Sequence, residues 1–230
     1  MPKITLKPHQ LPPIRFIKDN FGLLLYHSTG SGKTITSLLA MDQFPKDVII
    51  IGPKSSKKAF SDEIRKLGLD TGKFTIYTYT KIKTYLVKNS RMFQDRCLIV
   101  DEAHHLRSPT DSNIVLREAL KESYKVLLLT ATPIVNYLND ISVLINIVKK
   151  EDVLPMRRSL FNFFYFDERK MEIFNKDLLR GKLANCISYY ESGENISNPD
   201  YPESTTIYLT KRMDIVQINE YKKYIKKIEI

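Results

Sequence analysis

A doubly wound α/β fold, a parallel sheet with helices on both faces, is what the sequence predicts, on three observations. Short runs rich in Val, Ile and Leu alternate with segments of helical period from residue 21 to about 150. Those runs are apolar almost throughout instead of alternating in polarity, as befits strands covered on both sides. A glycine-rich turn directly follows the first of them and opens a helix, the arrangement that puts a ligand beyond the carboxyl ends of an open sheet.

The strands are expected at Leu23–Tyr26, Val48–Ile51, Phe74–Tyr79, Leu98–Val100 and Val126–Leu129. Between them, Ile35, Leu38 and Leu39 share one helical face, Phe60, Ile64 and Leu67 a second that stops at Gly68, and Ile141, Leu144, Ile145 and Val148 a third. Right-handed crossovers then wind the layers in both directions. Beyond residue 150 the pattern changes. Leu160 to Phe166 is an aromatic run, read as an interior anchor or lobe interface in preference to a base-stacking surface. Ser192 to Pro202 reads as a loop, and Ile215, Ile218, Tyr221, Ile225 and Ile228 follow helical spacing with no breaker before Ile230. The expectation is a longer polypeptide whose remainder covers that stripe.

Composition narrows the class. The chain has 230 residues, 43% hydrophobic and 27% charged, an ordinary globular balance that argues against overall disorder. No apolar run approaches the roughly 18 residues of a membrane span, and the first residues lack the apolar core of a signal peptide. Cys97 and Cys186 form neither a disulfide framework nor a zinc pattern, which suits a reducing intracellular setting. A net charge of +10 points toward polyanion partners, although many proteins carry such a balance only for solubility.

His27-Ser28-Thr29-Gly30-Ser31-Gly32-Lys33-Thr34 follows the first strand and precedes an apolar-periodic helix. This is a phosphate-binding loop in its proper context. Small residues let the backbone wrap the phosphates with its amide hydrogens inward, at the positive end of the next helix. Ser28 through Thr34 therefore bind nucleotide, Lys33 reaches the β- and γ-phosphates, and the Thr34 hydroxyl binds magnesium. The strict pattern has Gly where His27 stands, and His27 is assigned to packing.

At another strand end stands Asp101-Glu102-Ala103-His104. An exposed acidic pair by itself is a solvated turn; a preceding strand and an upstream phosphate loop give it chemistry. Asp101 is expected to hold magnesium, a hard ion needing oxygen ligands, and Glu102 to orient the attacking water. His104 is placed to link the nucleotide to a neighbouring segment, while His105 is left to the surface or the core. Thr130-Ala131-Thr132-Pro133 ends the last strand, where its hydroxyls can bond the carboxylate motif and relay phosphate state to a second site. The unifying expectation is that Lys33, Asp101 and Glu102 converge across adjoining strand tips on one triphosphate and its divalent ion.

Together these segments resemble the first motor lobe of the superfamily 2 helicases, in particular the Swi/Snf-like branch found in large DNA viruses and, within it, the poxvirus nucleoside triphosphate phosphohydrolases. Leu6 to Gln10 is similar to the adenine-recognition segment, which implies a base contact from Gln10. Gly52-Pro53-Lys54-Ser55 and Thr78-Tyr79-Thr80 resemble elements that touch a nucleic-acid backbone, implicating Lys54, Ser55 and Thr80. Thr130 to Asn136, Leu144 to Asn146, Ser159 to Phe161 and Gly181 to Tyr189 follow the viral order. The resemblance implies a RecA-like N-terminal lobe with its core in residues 1–150, a family-specific helical and loop extension of that lobe in 151–205, and a connection toward a second lobe in 206–230. It also implies ATP and Mg2+ as cofactors, with Lys33, Glu102 and His104 catalytic, Thr34 and Asp101 on the metal, and Thr130, Ala131 and Thr132 coupling the two.

The function expected is a nucleic-acid-dependent ATPase, helicase or translocase, linked to viral transcription. DNA is expected ahead of RNA, with a second lobe and viral RNA polymerase or transcription factors as partners, in the virion or host cytoplasm and not in a membrane. Family motors draw arginine fingers from the second lobe, worth about 10³ to 10⁵ in rate, so this lobe alone should hydrolyse ATP poorly. The competing reading is a non-hydrolysing nucleotide-binding scaffold or initiation-factor subunit. A metabolic phosphotransferase is disfavoured by Thr130 to Pro133.

Overall fold

The apolar runs become strands because each is buried from both sides. The structure, a computed structural model, describes residues 5–191; the expected loop at Ser192 to Pro202, the stripe from Ile215 to Ile228 and the connection at 206–230 lie outside the described residues. Helix α1 (Leu11–Asp19) leads into β1 (Gly22–His27), followed by α2 (Lys33–Asp42), β2 (Val48–Gly52), α3 (Lys54–Lys66), β3 (Phe74–Thr78), α4 (Tyr79–Lys88), β4 (Cys97–Asp101), α5 (Asp111–Lys121), β5 (Lys125–Thr130) and α6 (Asp140–Lys149). Then come α7 (Arg158–Tyr165), a two-stranded antiparallel ribbon of β6 (Phe166–Asp167) and β7 (Glu172–Ile173), α8 (Lys176–Leu183) and β8 (Ile187–Tyr190). The main sheet has the order β3-β2-β4-β5-β1-β8, with every neighbouring pair parallel.

Alternate residues of each strand feed opposite cores. Leu23, Leu25, Ile50, Ile99 and Leu127 pack against α1, α2 and α3 through Ile17, Leu38, Met41, Phe60 and Ile64. Leu24, Ile51, Val100, Val126 and Leu128 pack against α4, α5 and α6 through Ile82, Leu116, Leu120, Leu144 and Ile147. The period of two on a pleated strand makes this division automatic. Helix α3 ends where the sequence indicates, with Leu69 N–H bonded to Ile64 O and Gly68 N–H to Arg65 O, both at 3.1 Å, a Schellman closure.

Two features depart from the sequence reading. Tyr79 opens α4 instead of ending β3, because the Thr78 hydroxyl accepts from Lys81 N–H at 3.3 Å and caps the helix there. Strand β8, contributed from beyond residue 150, pairs with β1 from Leu24↔Ile187 to His27↔Tyr190; four residues at a sheet edge carry too little pattern to announce themselves. The aromatic run lies largely within helix α7, which buries Phe161 and Tyr165, in keeping with an interior anchor, and leaves Leu160, Phe163 and Phe164 exposed.

Candidate active site

The end of β1 hands the chain to the phosphate loop, and α2 starts at Lys33. Gly30 and Gly32 adopt φ of 73° and 83°, the left-handed region that glycine enters without a Cβ penalty. At Gly32 space is also short, since a Cβ there would stand 2.3 Å from Gln10 Nε2. Gln10 is buried and its amide nitrogen lies 3.4 Å from Gly32 O and 3.5 Å from Ser31 O, while its Oε1 accepts Lys7 N–H at 2.7 Å. His9 Nε2 lies 2.8 Å from Ser31 O. The upstream segment is thus fastened onto the loop, bringing Gln10 to its edge.

Lys33 Nζ donates to the carbonyls of His27 at 2.8 Å and Ser28 at 3.0 Å. Burial draws its pKa below the usual lysine value, opposed by the charges of Glu102 and Asp101. The acidic pair bears electrostatically on Lys33, and the glycine-rich loop and the carboxylates leave β1 and β4 at the same carboxyl edge of the parallel sheet. The convergence does not run across neighbouring strands, however: β5 stands between β1 and β4. His27 is fully buried, with Nε2 2.9 Å from Ser188 Oγ of β8. Burial, aided by His9 and Lys33, lowers its pKa to about 4. It is a neutral packing residue at neutral pH.

Asp101 ends β4, and Glu102 follows with φ 51° and ψ 50°. A non-glycine residue in this left-handed conformation costs on the order of 1–3 kcal/mol and persists where its surroundings over-determine it. Here the Tyr79 hydroxyl donates to the carbonyls of Asp101 at 2.7 Å and Glu102 at 3.1 Å. Burial, together with Asp101 and Glu102, raises the Tyr79 pKa well above the ordinary phenol value, which keeps this donor protonated. Ser56 Oγ donates to Asp101 Oδ2 at 2.5 Å. Neither Ser56 nor Tyr79 is marked as a site residue by local pattern, because their contacts join segments far apart in sequence.

The insertion of β5 gives His104 its partners. Its Nδ1 lies 3.1 Å from Thr130 Oγ1, 3.3 Å from Glu102 Oε2 and 3.4 Å from Thr132 Oγ1. Burial lowers the His104 pKa, with Glu102 opposing and His105 assisting. Thr130 Oγ1 also accepts Thr132 N–H at 3.0 Å, with Ala131 between them in the bend. His105 is exposed and lies against the Tyr79 ring. Lys54, Ser55 and Thr80 are exposed on the first turns of α3 and α4. The structure also adds a ring stack that the sequence does not reveal: His9 lies on Tyr190 with centroids 3.6 Å apart and planes 9° from parallel.

The residues present fit a magnesium nucleotide. The loop curls at two left-handed glycines before a helix N-terminus, and Ser31 Oγ is buried with no partner. Among the described residues no group of three or more His, Cys, Asp or Glu is arranged to hold a metal. A divalent ion would therefore rely on Thr34, Asp101, phosphate oxygens and water, the sparse protein ligation that magnesium favours.

Fold and loop together define a nucleotide-binding lobe of the RecA-like, P-loop class. The SNF2-related domain profile matches residues 47–230, and the chain belongs to that family. A candidate ATP-dependent RNA helicase of Acanthamoeba polyphaga mimivirus is 50% identical over 228 residues, covering 99% of this chain and 51% of that relative. The early transcription factor 70 kDa subunit of Melanoplus sanguinipes entomopoxvirus is 24% identical over 227 residues, covering 84% of this chain and 33% of that relative. The SWI2/SNF2 ATPase core of Sulfolobus solfataricus, solved in complex with dsDNA, superposes with a TM-score of 0.65 at 20% identity over 84% of this chain and 46% of that one. This chain spans about half the length of the mimivirus relative and a third of the entomopoxvirus one.

Proposed function

We propose that this chain is the nucleotide-binding lobe of a nucleic-acid-dependent ATPase that translocates on or remodels DNA during viral transcription, completed by a second lobe. The observation that carries the reading is that the loop after β1 and the Asp101–Glu102 pair after β4 leave parallel strands at one edge of the same sheet, with left-handed Gly30 and Gly32 curling the loop and the acidic charges bearing on Lys33. The backbone amides of the loop would cradle the phosphates. Lys33 would exchange the carbonyls of His27 and Ser28 for phosphate oxygens, and Gln10 would meet the base. Thr34 and Asp101 would hold Mg2+, which supplies charge neutralisation on the transferred phosphoryl group. Glu102, held in a fixed backbone conformation, would align the attacking water and take its proton. His104 would sense that change and pass it to Thr130 and Thr132. Lys54, Ser55 and Thr80 would contact the nucleic-acid backbone, which needs hydroxyls and cations more than base-reading groups.

The family assignment supports ATP hydrolysis, and the entomopoxvirus relative's name supports a role in viral transcription; viral RNA polymerase or transcription factors are the proposed partners, and the virion or host cytoplasm the proposed setting. That same name favours one competing reading, an initiation-factor subunit of a viral transcription complex, which in its scaffold form would bind nucleotide without turning it over. The test is ATP hydrolysis by the full-length protein with single-stranded DNA, duplex DNA and RNA side by side, for wild type, Lys33→Ala and Glu102→Gln. A motor shows strand-stimulated turnover that either substitution abolishes. A scaffold binds nucleotide and shows no turnover with any strand, which would reject the motor reading.

A further inference from the structure

Each of the two loops that carry the candidate strand contacts sends an adjacent hydroxyl into the carboxylate element. On the first turn of α3, Lys54 and Ser55 are exposed, whereas the next residue, Ser56, is buried and bonds Asp101 Oδ2 at 2.5 Å. On the first turn of α4, Thr80 is exposed, whereas the residue before it, Tyr79, bonds the carbonyls of Asp101 and Glu102. Successive helical residues point about 100° apart, so one faces out while its neighbour faces in. The packing leaves little slack. A Cβ added to Gly52 would stand 3.1 Å from both Ser56 Cβ and Oγ and 3.2 Å from Asp101 Cβ, so helix start, strand end and carboxylate are in close contact.

We propose that Ser56 and Tyr79 are positioning residues through which a strand bound at Lys54, Ser55 and Thr80 sets the placement of Asp101 and Glu102, so that nucleic acid accelerates hydrolysis without tightening nucleotide binding. The inference rests on the reading of the chain as a nucleic-acid-dependent ATPase lobe, and it identifies how that site is regulated. Ser56 occupies one Asp101 oxygen and leaves the other for the metal. Tyr79 touches only main-chain carbonyls, at the point where Glu102 takes its left-handed conformation. Neither hydroxyl is assigned a contact with the reacting atoms, so both act on the chemistry through the carboxylates. Misplacing a catalytic group by about 1 Å costs on the order of 10²-fold in rate, so a small displacement of either helix start is enough to change turnover. The route is separate from that through His104, Thr130 and Thr132, which joins the carboxylates to the end of β5.

The test uses the full-length protein and follows steady-state ATP hydrolysis with and without saturating DNA or RNA. Strand affinity is read by fluorescence anisotropy, and nucleotide affinity with a fluorescent ATP analogue in the presence of Mg2+. Ser56→Ala and Tyr79→Phe are each expected to lower strand-stimulated kcat about tenfold, part of the penalty for a misplaced catalytic group. The KM for ATP, the analogue Kd and the strand Kd should stay close to wild type, and Ser56→Thr, which keeps the donor, should recover most of the stimulation. If both variants are stimulated as strongly as wild type, or lose stimulation only in proportion to a weakened strand Kd, the proposal is overturned while the ATPase reading stands. If wild type itself hydrolyses ATP at a rate that no strand alters, both fall. Should Ser56→Ala fail to melt cooperatively, Tyr79→Phe, which removes a single oxygen, decides the question alone.

Discussion

Two charged side chains carry opposite parts of the proposed chemistry, and their removal should look different. Lys33 supplies positive charge to the phosphates, so Lys33→Ala is expected to weaken nucleotide binding itself, read as a rise in the Kd of a fluorescent ATP analogue. Glu102 acts on the water. Glu102→Gln should lower kcat by about 10²- to 10⁴-fold, the usual range for a lost acid–base group, with analogue binding retained. His27 gives a prediction in pH. Its native pKa of about 4 lies below its ordinary value of 6.5, so between those limits the unfolded chain holds more protons than the native one. Stability should therefore fall as pH drops from about 6.5 toward 4, and it should recover as pH rises. Urea midpoints across that window should decline less steeply in His27→Gln than in wild type.

At the scale of elements, β1 and α6 meet in a close backbone approach. A Cβ on Gly22 would stand 2.7 Å from Val148 Cα, 2.8 Å from Val148 O and 2.9 Å from Val126 Cγ1. Two of those atoms are main chain and cannot rotate away. Gly22→Ala should therefore cost about 1–3 kcal/mol as overpacking does, read as a lower denaturant midpoint with little change in slope. The interior elements were legible in the sequence: β2 is an unbroken apolar run and is buried throughout, and Phe60 and Ile64 of α3 face the core as their spacing requires. Strand β8 was not, because Ile187 to Tyr190 is partly exposed along its length and owes its strand conformation to an available edge on β1.

For the whole molecule, the net charge of +10 includes a cluster of cations at the start of α3, where Lys54, Lys57 and Lys58 stand exposed. If these lysines meet phosphates, affinity for nucleic acid should fall linearly in a log–log plot against salt, and Lys54→Ala should flatten the slope by about 1. Titrations by fluorescence anisotropy at several salt concentrations check this; an unchanged slope removes Lys54 from the contact surface.

The sequence by itself determined which interior apolar runs become strands, where the glycine-rich loop lies, and which side chains are candidates for phosphate and water chemistry, because periodicity, glycine placement and residue type are local properties. Tertiary structure decided that β5 separates β1 from β4, that β8 closes the edge beside His27, and that Ser56 and Tyr79 reach the carboxylate element. Those outcomes depend on hydrogen bonds and packing between segments distant along the chain, where the local sequence of one partner carries no record of the other.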